Sequence, residues 1–532
     1  MSTKRFLLIL LAVLLWTGSG LYASEVEKWA CYEISLNAPV KGNPFDVSLS
    51  AVFSCGEERV EVPGFYDGDG VYRVRFMPSV EGEWRYVTRS SVPALRGKKG
   101  SFLCTAPSPG NHGPVKTDGT AFRYADGRLY HPVGTTSYDW MHVSGDYPEK
   151  TVASLEEAGF NKIRMLFFLQ NLGIEYPETY PFEKNTDGTW DYGRFNPEYF
   201  RRVEKCILDL QEIGVEADLI LFHPYDGGRW GFDRMPLEVN LKYLSYIVSR
   251  LSAYRNVWWS LANEFDGVKG IPLEDWDKFA RRVASADPYG HLLSIHGYTA
   301  TYADYWMPEY THASIQDQAP VVERGRAAIV RHIYHKPVIF DEVCYEGNIA
   351  SRWGNLSGEE ELYRMWNGIM SGTYVTHAEC FNLSAHGSNK EEMTNFLAFG
   401  GTFHGESWKR IKFMRAVLED LPGPLELADL SWDEKTSAAG DGYYLVYLGK
   451  DIMEEWKFSL PAKNKATGGK LETGTRFEVE VLDTWGMTVS RYPVVFEAAP
   501  TQDGYRFTDR EGRGVRLPER PYLLLRIKKV QP

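Results

Sequence analysis

Two carboxylates in this chain follow directly on apolar runs. Glu264 closes "NVWWSLANE" (256–264), immediately after Asn263, and Glu342 closes "PVIFDE" (337–342). Hydrolysis of a glycosidic bond needs such a pair. One carboxyl is held neutral to protonate the departing oxygen, and the other stays ionised to attack or stabilise the anomeric carbon. The plain alternative is two loop acids: with 71 acidic residues some will end strands by chance, and Asp341 and Glu346 lie near Glu342 as decoys.

The elements that must position this pair read out of the pattern between 116 and 420. Eight short β-forming runs (131–140, 162–168, 217–226, 256–264, 291–298, 312–318, 337–343 and 372–379) are separated or followed by amphipathic stretches such as 197–214, 274–286 and 359–372. That alternation predicts an α/β fold, a (β/α)8 barrel, whose chemistry sits where the strands end. Strands four and seven face each other across so small a barrel. An open doubly wound sheet is the rival, but no Gly-rich turn follows the first strand. Other polar residues collect at the same strand ends: Asp139, Arg164, His223, Asp226, His296, Gln316, His377 and Glu379.

The strand-four "ANEFD" and strand-seven "PVIFDEV" resemble the acid/base and nucleophile motifs of glycoside hydrolase clan A, retaining enzymes on a (β/α)8 barrel. The resemblance implies Glu264 as acid/base and Glu342 as nucleophile. It places Arg164 of "KIRM" where the clan carries an arginine that steadies the nucleophile. His223 of "LILFH" stands at the clan's strand-three histidine, and Asn263 matches the residue expected on the sugar 2-hydroxyl. The barrel and its flanks are similar to apiosidase-like and collagen-binding-domain glycosidase families. "NPFDVSLSAVF" and the region after it resemble an N-terminal β-sandwich family of uncertain function.

Two positions depart from the clan. Its strand-six tyrosine, which touches the nucleophile, is replaced by Gln316, with Tyr298 or Tyr345 as substitutes. Strand eight reads "THAECF" instead of presenting a tryptophan, so Glu379 becomes a third carboxylate candidate. Tyr138, Trp140 and Trp230 are placed to stack on sugar rings, against the reading that any one Trp is core. Trp258 and Trp259 lie inside a strand run and read as packing residues. His223 and His296 are substrate-binding candidates that could equally be satisfied structural histidines.

The rest of the chain frames this region. Lys4 and Arg5 precede an apolar run of residues 6–16 and small residues up to Ala23, which reads as a secretory signal peptide (1–23) with no lipobox Cys. The mature protein is expected to be secreted or periplasmic, without membrane insertion. A β-sandwich is expected over 24–108, before a Pro/Gly linker, and a second over 425–532. Net charge is −12, or −14 once Lys4 and Arg5 are removed, which argues against a nucleic-acid partner. Six cysteines in 532 residues form no disulfide framework, though Cys344 and Cys380 could approach each other, and no metal-ligand spacing occurs, so neither metal nor cofactor is expected. The expected function is hydrolysis of a β-linked poly- or oligosaccharide by double displacement. The alternatives are a carbohydrate-binding protein on a glycosidase-like scaffold, or an inverting hydrolase using another carboxylate pair. Oligomeric state stays open.

Overall fold

The computed structural model describes residues 24–530, apart from Val40, 173–175, 177–178, 299–300, Tyr302, 319–323, 383–394, 430–432 and Ala466. The expected signal peptide lies outside the described residues.

A strand forms within each of the eight runs. β1 (Gly134–Thr136), β2 (Lys162–Leu166), β3 (Glu216–Phe222), β4 (Val257–Ala262) and β5 (Leu293–Ser294) pair in parallel, in that order. β6 (Ala313–Gln316), β7 (Val338–Glu342) and β8 (Tyr374–Val375) form a second parallel sheet. Single parallel bridges tie the two sheets at both edges, His296 to Ser314 and Thr135 to His377. β3 and β4 are buried along their whole length, as near-continuous apolar runs require when both faces are covered. Trp258 and Trp259 pack there as expected, each with its indole N–H on a buried acid, Glu216 and Asp287.

Helices α1 (Tyr147–Ala158), α2 (Pro197–Glu212), α3 (Leu237–Leu251), α4 (Leu273–Ala286), α5 (Arg324–Tyr334), α6 (Gly358–Met370) and α7 (Ile411–Glu419) cover the strands. Their ends follow local chemistry. Asn196 caps α2 by accepting from Glu198 N at 3.1 Å, ahead of Pro197, and α1 stops at Gly159 in the left-handed region (φ 81°). The predicted alternation fails once: among the described residues no helix joins β5 to β6. Lys336 Nζ instead donates to the carbonyls of Tyr305, Met307 and Tyr310, and so satisfies backbone that a helix would have paired. Among the described residues no helix is long and apolar enough to cross a membrane.

Beneath the strand ends lies a buried ion cluster. Lys162 Nζ sits 2.7 Å from Asp218 and 3.1 Å from Asp341, all three out of solvent. An unpaired charge at that depth would cost several kcal/mol, so these groups hold one another in place.

Both flanking regions are β-rich. A seven-stranded sheet spans Glu25–Thr105, with Phe53, Phe76, Trp84 and Phe102 fully buried in its core. It docks on α2 and α3 through buried ions: Arg75 and Arg250 both bond Glu204, and Arg250 also bonds Asp67. A nine-stranded sheet over Glu426–Lys529 closes on Phe458, Phe477, Phe496 and Ile527.

Candidate active site

β4 delivers Glu264 by a backbone device. Asn263 N still donates into the ladder, to Phe222 O at 3.0 Å. Glu264 then adopts a left-handed conformation, φ 46° and ψ 54°, and a 3-10 turn follows over Phe265–Gly267. For a residue with a Cβ this costs about 1 kcal/mol or more, and in return the strand ends abruptly with its last carboxylate facing a cavity. Cys344, two residues beyond Glu342, shows the same left-handed geometry at φ 66°.

The two carboxylates share donors. Gln316 Nε2 donates to Glu342 Oε2 at 2.6 Å and to Glu264 Oε1 at 3.2 Å. By way of that one nitrogen the two oxygens lie no more than 5.8 Å apart, 3.2 plus 2.6 Å. On the other side Tyr138 Oη donates to Glu342 Oε1 at 2.9 Å and Tyr225 Oη to Glu264 Oε2 at 2.7 Å. Both phenols accept from Asn263 Nδ2, at 3.2 and 2.7 Å, and Asn263 Oδ1 in turn accepts from Arg164 Nη2 at 2.6 Å. One buried amide thus aligns a donor for each carboxylate.

Their electrostatics diverge. Burial, then the charge of Glu342, push the Glu264 carboxyl up to about 7. Burial pushes Glu342 up as well, but the charges of His296 and Arg164 and hydrogen bonds from Tyr138 and Gln316 outweigh it and hold the group below its ordinary value. His296, buried and pushed down to about 4, is uncharged near neutrality. There the hold on Glu342 falls to the two hydrogen bonds and to Arg164, whose guanidinium lies 3.6 Å away. Two adjacent carboxyls pushed apart in this way can run acid and base chemistry together.

The cavity above them is about 680 Å³, walled by Tyr138, Tyr225, Tyr298, Tyr345 and Trp353, with Leu172 and Leu397 adding aliphatic surface. Of the residues expected at the site, Glu264, Glu342, Gln316, Tyr138, Tyr298 and Tyr345 line it, and the others do not. Arg164 and Asn263 are fully buried and act through the tyrosines and Glu342. His223 Nε2 donates to Phe168 O and its Nδ1 accepts from Tyr225 N, so it fixes the backbone of Tyr225. His296 Nδ1 donates to Ser314 Oγ at 3.0 Å, since the Ser314 hydroxyl is committed to Asp341. Asp139 is buried and pushed up to about 7; it accepts from Tyr176 Oη and Gln170 N, anchoring the segment that brings Gln170 to the cavity.

Several expectations need correction. The phenol on Glu342 comes from Tyr138 at the end of β1, not from Tyr298 or Tyr345, and Tyr138 had read as a stacking platform. Trp140 is fully buried in the core and Trp230 nearly so; neither lines the cavity. Glu379 is buried behind it, accepting from the backbone N–H groups of His404 and Gly405, and burial pushes it up to about 8. Cys344 and Cys380 are both free thiols. Tyr225 carries no sequence signal: nothing in "FHPYD" separates it from an ordinary loop tyrosine.

Glu346, Glu361 and His377 bring ligand-type atoms within 4.8 Å of one another. Their acceptors are already engaged by N–H groups of Glu406, Ser407, Glu346 and Ala378, and burial holds Glu361 well above the carboxylate range. Glu346 thus pins the backbone of Glu406 and Ser407, and Glu361 ties the backbone of Glu346 to that of Ala378.

Three family models match the chain: an apiosidase-like catalytic domain over 117–377, between a domain of unknown function (DUF5060) over 25–91 and another (DUF5605) over 432–528. No curated protein matches. Among solved structures, a candidate glycoside hydrolase from Bacteroides vulgatus ATCC 8482 is 51% identical, covers 95% of this chain and 100% of its own, and superposes with a TM-score of 0.90. A family 5 glycoside hydrolase from the same organism is 14% identical (79% of this chain, 94% of its own, TM-score 0.57). A further glycoside hydrolase is also 14% identical (80% and 98%, TM-score 0.56). The last two are likenesses of fold alone.

Proposed function

The chain belongs to the glycoside hydrolases with an apiosidase-like catalytic domain, and on that premise we propose that it cleaves a β-linked poly- or oligosaccharide with retention of configuration. Glu342 attacks the anomeric carbon as the C1–O bond to the leaving group breaks, and Glu264 gives that oxygen its proton. Glu264 then takes a proton from water, whose oxygen attacks C1 and releases Glu342. Tyr138 and Gln316 position the nucleophile, and Arg164 keeps it ionised. A carboxyl pushed up to about 7 still carries a proton to donate near neutrality, which suits Glu264 to the acid role.

The observation that carries this reading is the shared Gln316 nitrogen. A bound of 5.8 Å between the bridged oxygens suits the roughly 5–5.5 Å of retaining pairs better than the roughly 6.5–9.5 Å that leaves room for water. The eight-strand ring supports a (β/α)8 barrel over 116–420, with β-sandwiches over 24–108 and 425–532. The basic-then-apolar leader supports export to the periplasm or beyond. The test is proton NMR of the first-formed anomer on a panel of β-linked oligosaccharides, with Glu342→Gln alongside. Retention is expected, with turnover reduced at least about 10³-fold in the variant. An inverted product, or unimpaired turnover by the variant, refutes the assignment.

A further inference from the structure

The C-terminal sheet carries a concavity of about 160 Å³ far along the chain from the catalytic residues. A cavity of about 150 Å³ holds one six-membered ring. Its wall includes three arginines, Arg491, Arg516 and Arg520, the hydroxyl residues Thr488, Ser490 and Tyr492, and a single acid, Asp483. Two of the cations are tethered: Arg491 from outside the pocket, by Glu478 at 2.5 Å, and Arg520 by the pocket's own acid, Asp483, at 2.9 Å. A guanidinium has five donors, so each tether leaves most of them free. The Arg516 guanidinium has no partner at all among the described residues. Tyr492 is fixed by accepting from Arg516 N and donating to Gly514 O, with its ring stacked on Phe496. The pocket is therefore cationic in a chain of net charge −12, and residues 425–532, with 16 basic and 17 acidic residues, do not share that excess.

We propose that this pocket is a second carbohydrate site that binds the carboxylate of a uronate residue. It rests on the catalytic reading only in that a glycan is what the chain brings to its cleft. Guanidinium forks match a planar carboxylate with two parallel hydrogen bonds. A carboxylate set directly on a sugar ring fits a pocket of one-ring size, whereas a sulfate ester stands further out on its own oxygen. The neighbouring hydroxyls then meet ring hydroxyls, and Val481 and Leu523 supply apolar floor.

The test is calorimetric titration of the full chain with three trisaccharides that differ only at C6: cellotriose, its C6-carboxylate form and its C6-sulfate form. The carboxylate is expected to bind, the neutral sugar not to bind there, and the sulfate to bind more weakly. Arg516→Ala and the pair Arg491→Ala/Arg516→Ala are expected to lower carboxylate affinity about tenfold or more while turnover by the catalytic cavity is unchanged. Absence of binding, equal binding of the neutral sugar, preference for the sulfate, or undiminished affinity in both variants each overturns the proposal. Loss of hydrolysis in Glu342→Gln with this binding intact marks the two sites as separate.

Discussion

Glu264 and Glu342 accept hydrogen bonds from a single nitrogen, Gln316 Nε2, at 3.2 and 2.6 Å. That amide holds two like charges within reach of one sugar carbon and partly neutralises their repulsion. A donor shared in this way favours the ionised form of both groups. Gln316→Ala is therefore expected to raise both pKa values. Glu342 must be ionised and Glu264 protonated for turnover, so both limbs of the kcat/KM pH profile move to higher pH. The rate at pH 6 falls about 10²- to 10³-fold, the usual loss for one preorganised donor. A rise in KM with both limbs in place would mean that Gln316 only binds substrate.

The raised pKa of Glu264 is also a statement about stability. The native state holds this proton up to about pH 7, whereas the unfolded chain releases it near 4.5. Its favourable contribution is thus complete below about pH 4.5 and is lost as pH rises through 7. A neutral amide in its place does not titrate. Glu264→Gln is expected to be more stable than the natural protein at pH 8 by about 1–3 kcal/mol, with the gap closing by pH 4. Urea melts at the two pH values measure it, and a variant less stable at pH 8 contradicts the shift.

What the sequence exposes of the site follows from which forces are local. Glu264 and Glu342 are legible because a buried strand must be apolar and the first polar residue after it stands out. Tyr138 and Tyr225 are not, because their roles come from Asn263, which reaches the two phenols across 125 and 38 positions of chain respectively. Trp140 misleads for a related reason. β1 ends at Thr136 and the chain turns, with His142 N donating to Asp139 O, so strand alternation no longer says which way residue 140 faces. Between β5 and β6, where no helix lies among the described residues, the carbonyls of Tyr305, Met307 and Tyr310 are likewise satisfied by a remote residue, Lys336.

Glu379 separates a catalytic third carboxylate from a structural one. Its oxygens accept from two backbone N–H groups, and a carboxyl pushed up to about 8 is mostly neutral at pH 6–7. Glutamine keeps one of the two acceptors and sets an NH2 against the other backbone N–H, so Glu379→Gln should cost about 1–2 kcal/mol of stability yet keep kcat within about threefold at pH 6.5. Glu379→Ala leaves both N–H groups unpaired and is expected to cost about 2–4 kcal/mol, read by thermal or urea melting. A large kcat loss in a stable Gln variant would put Glu379 in the chemistry.

Arg164 joins the two halves of the site, and two substitutions divide its work. It lies fully buried, 3.6 Å from both Asp341 and Glu342, and donates to Asn263 at 2.6 Å. Arg164→Met removes the cation beside Glu342, so the nucleophile's pKa rises and the acid limb of the kcat/KM profile moves to higher pH. It also leaves buried acids short of a partner, at about 3–5 kcal/mol. Arg164→Lys keeps the charge but not the planar fork that reaches Asn263. The acid limb should then hold near its natural position, while kcat falls on the order of 10²-fold as the two tyrosines lose their common anchor. If lysine and methionine displace the acid limb equally, the charge of Arg164 is not what keeps Glu342 ionised, and the hydrogen bonds from Tyr138 and Gln316 carry that role alone.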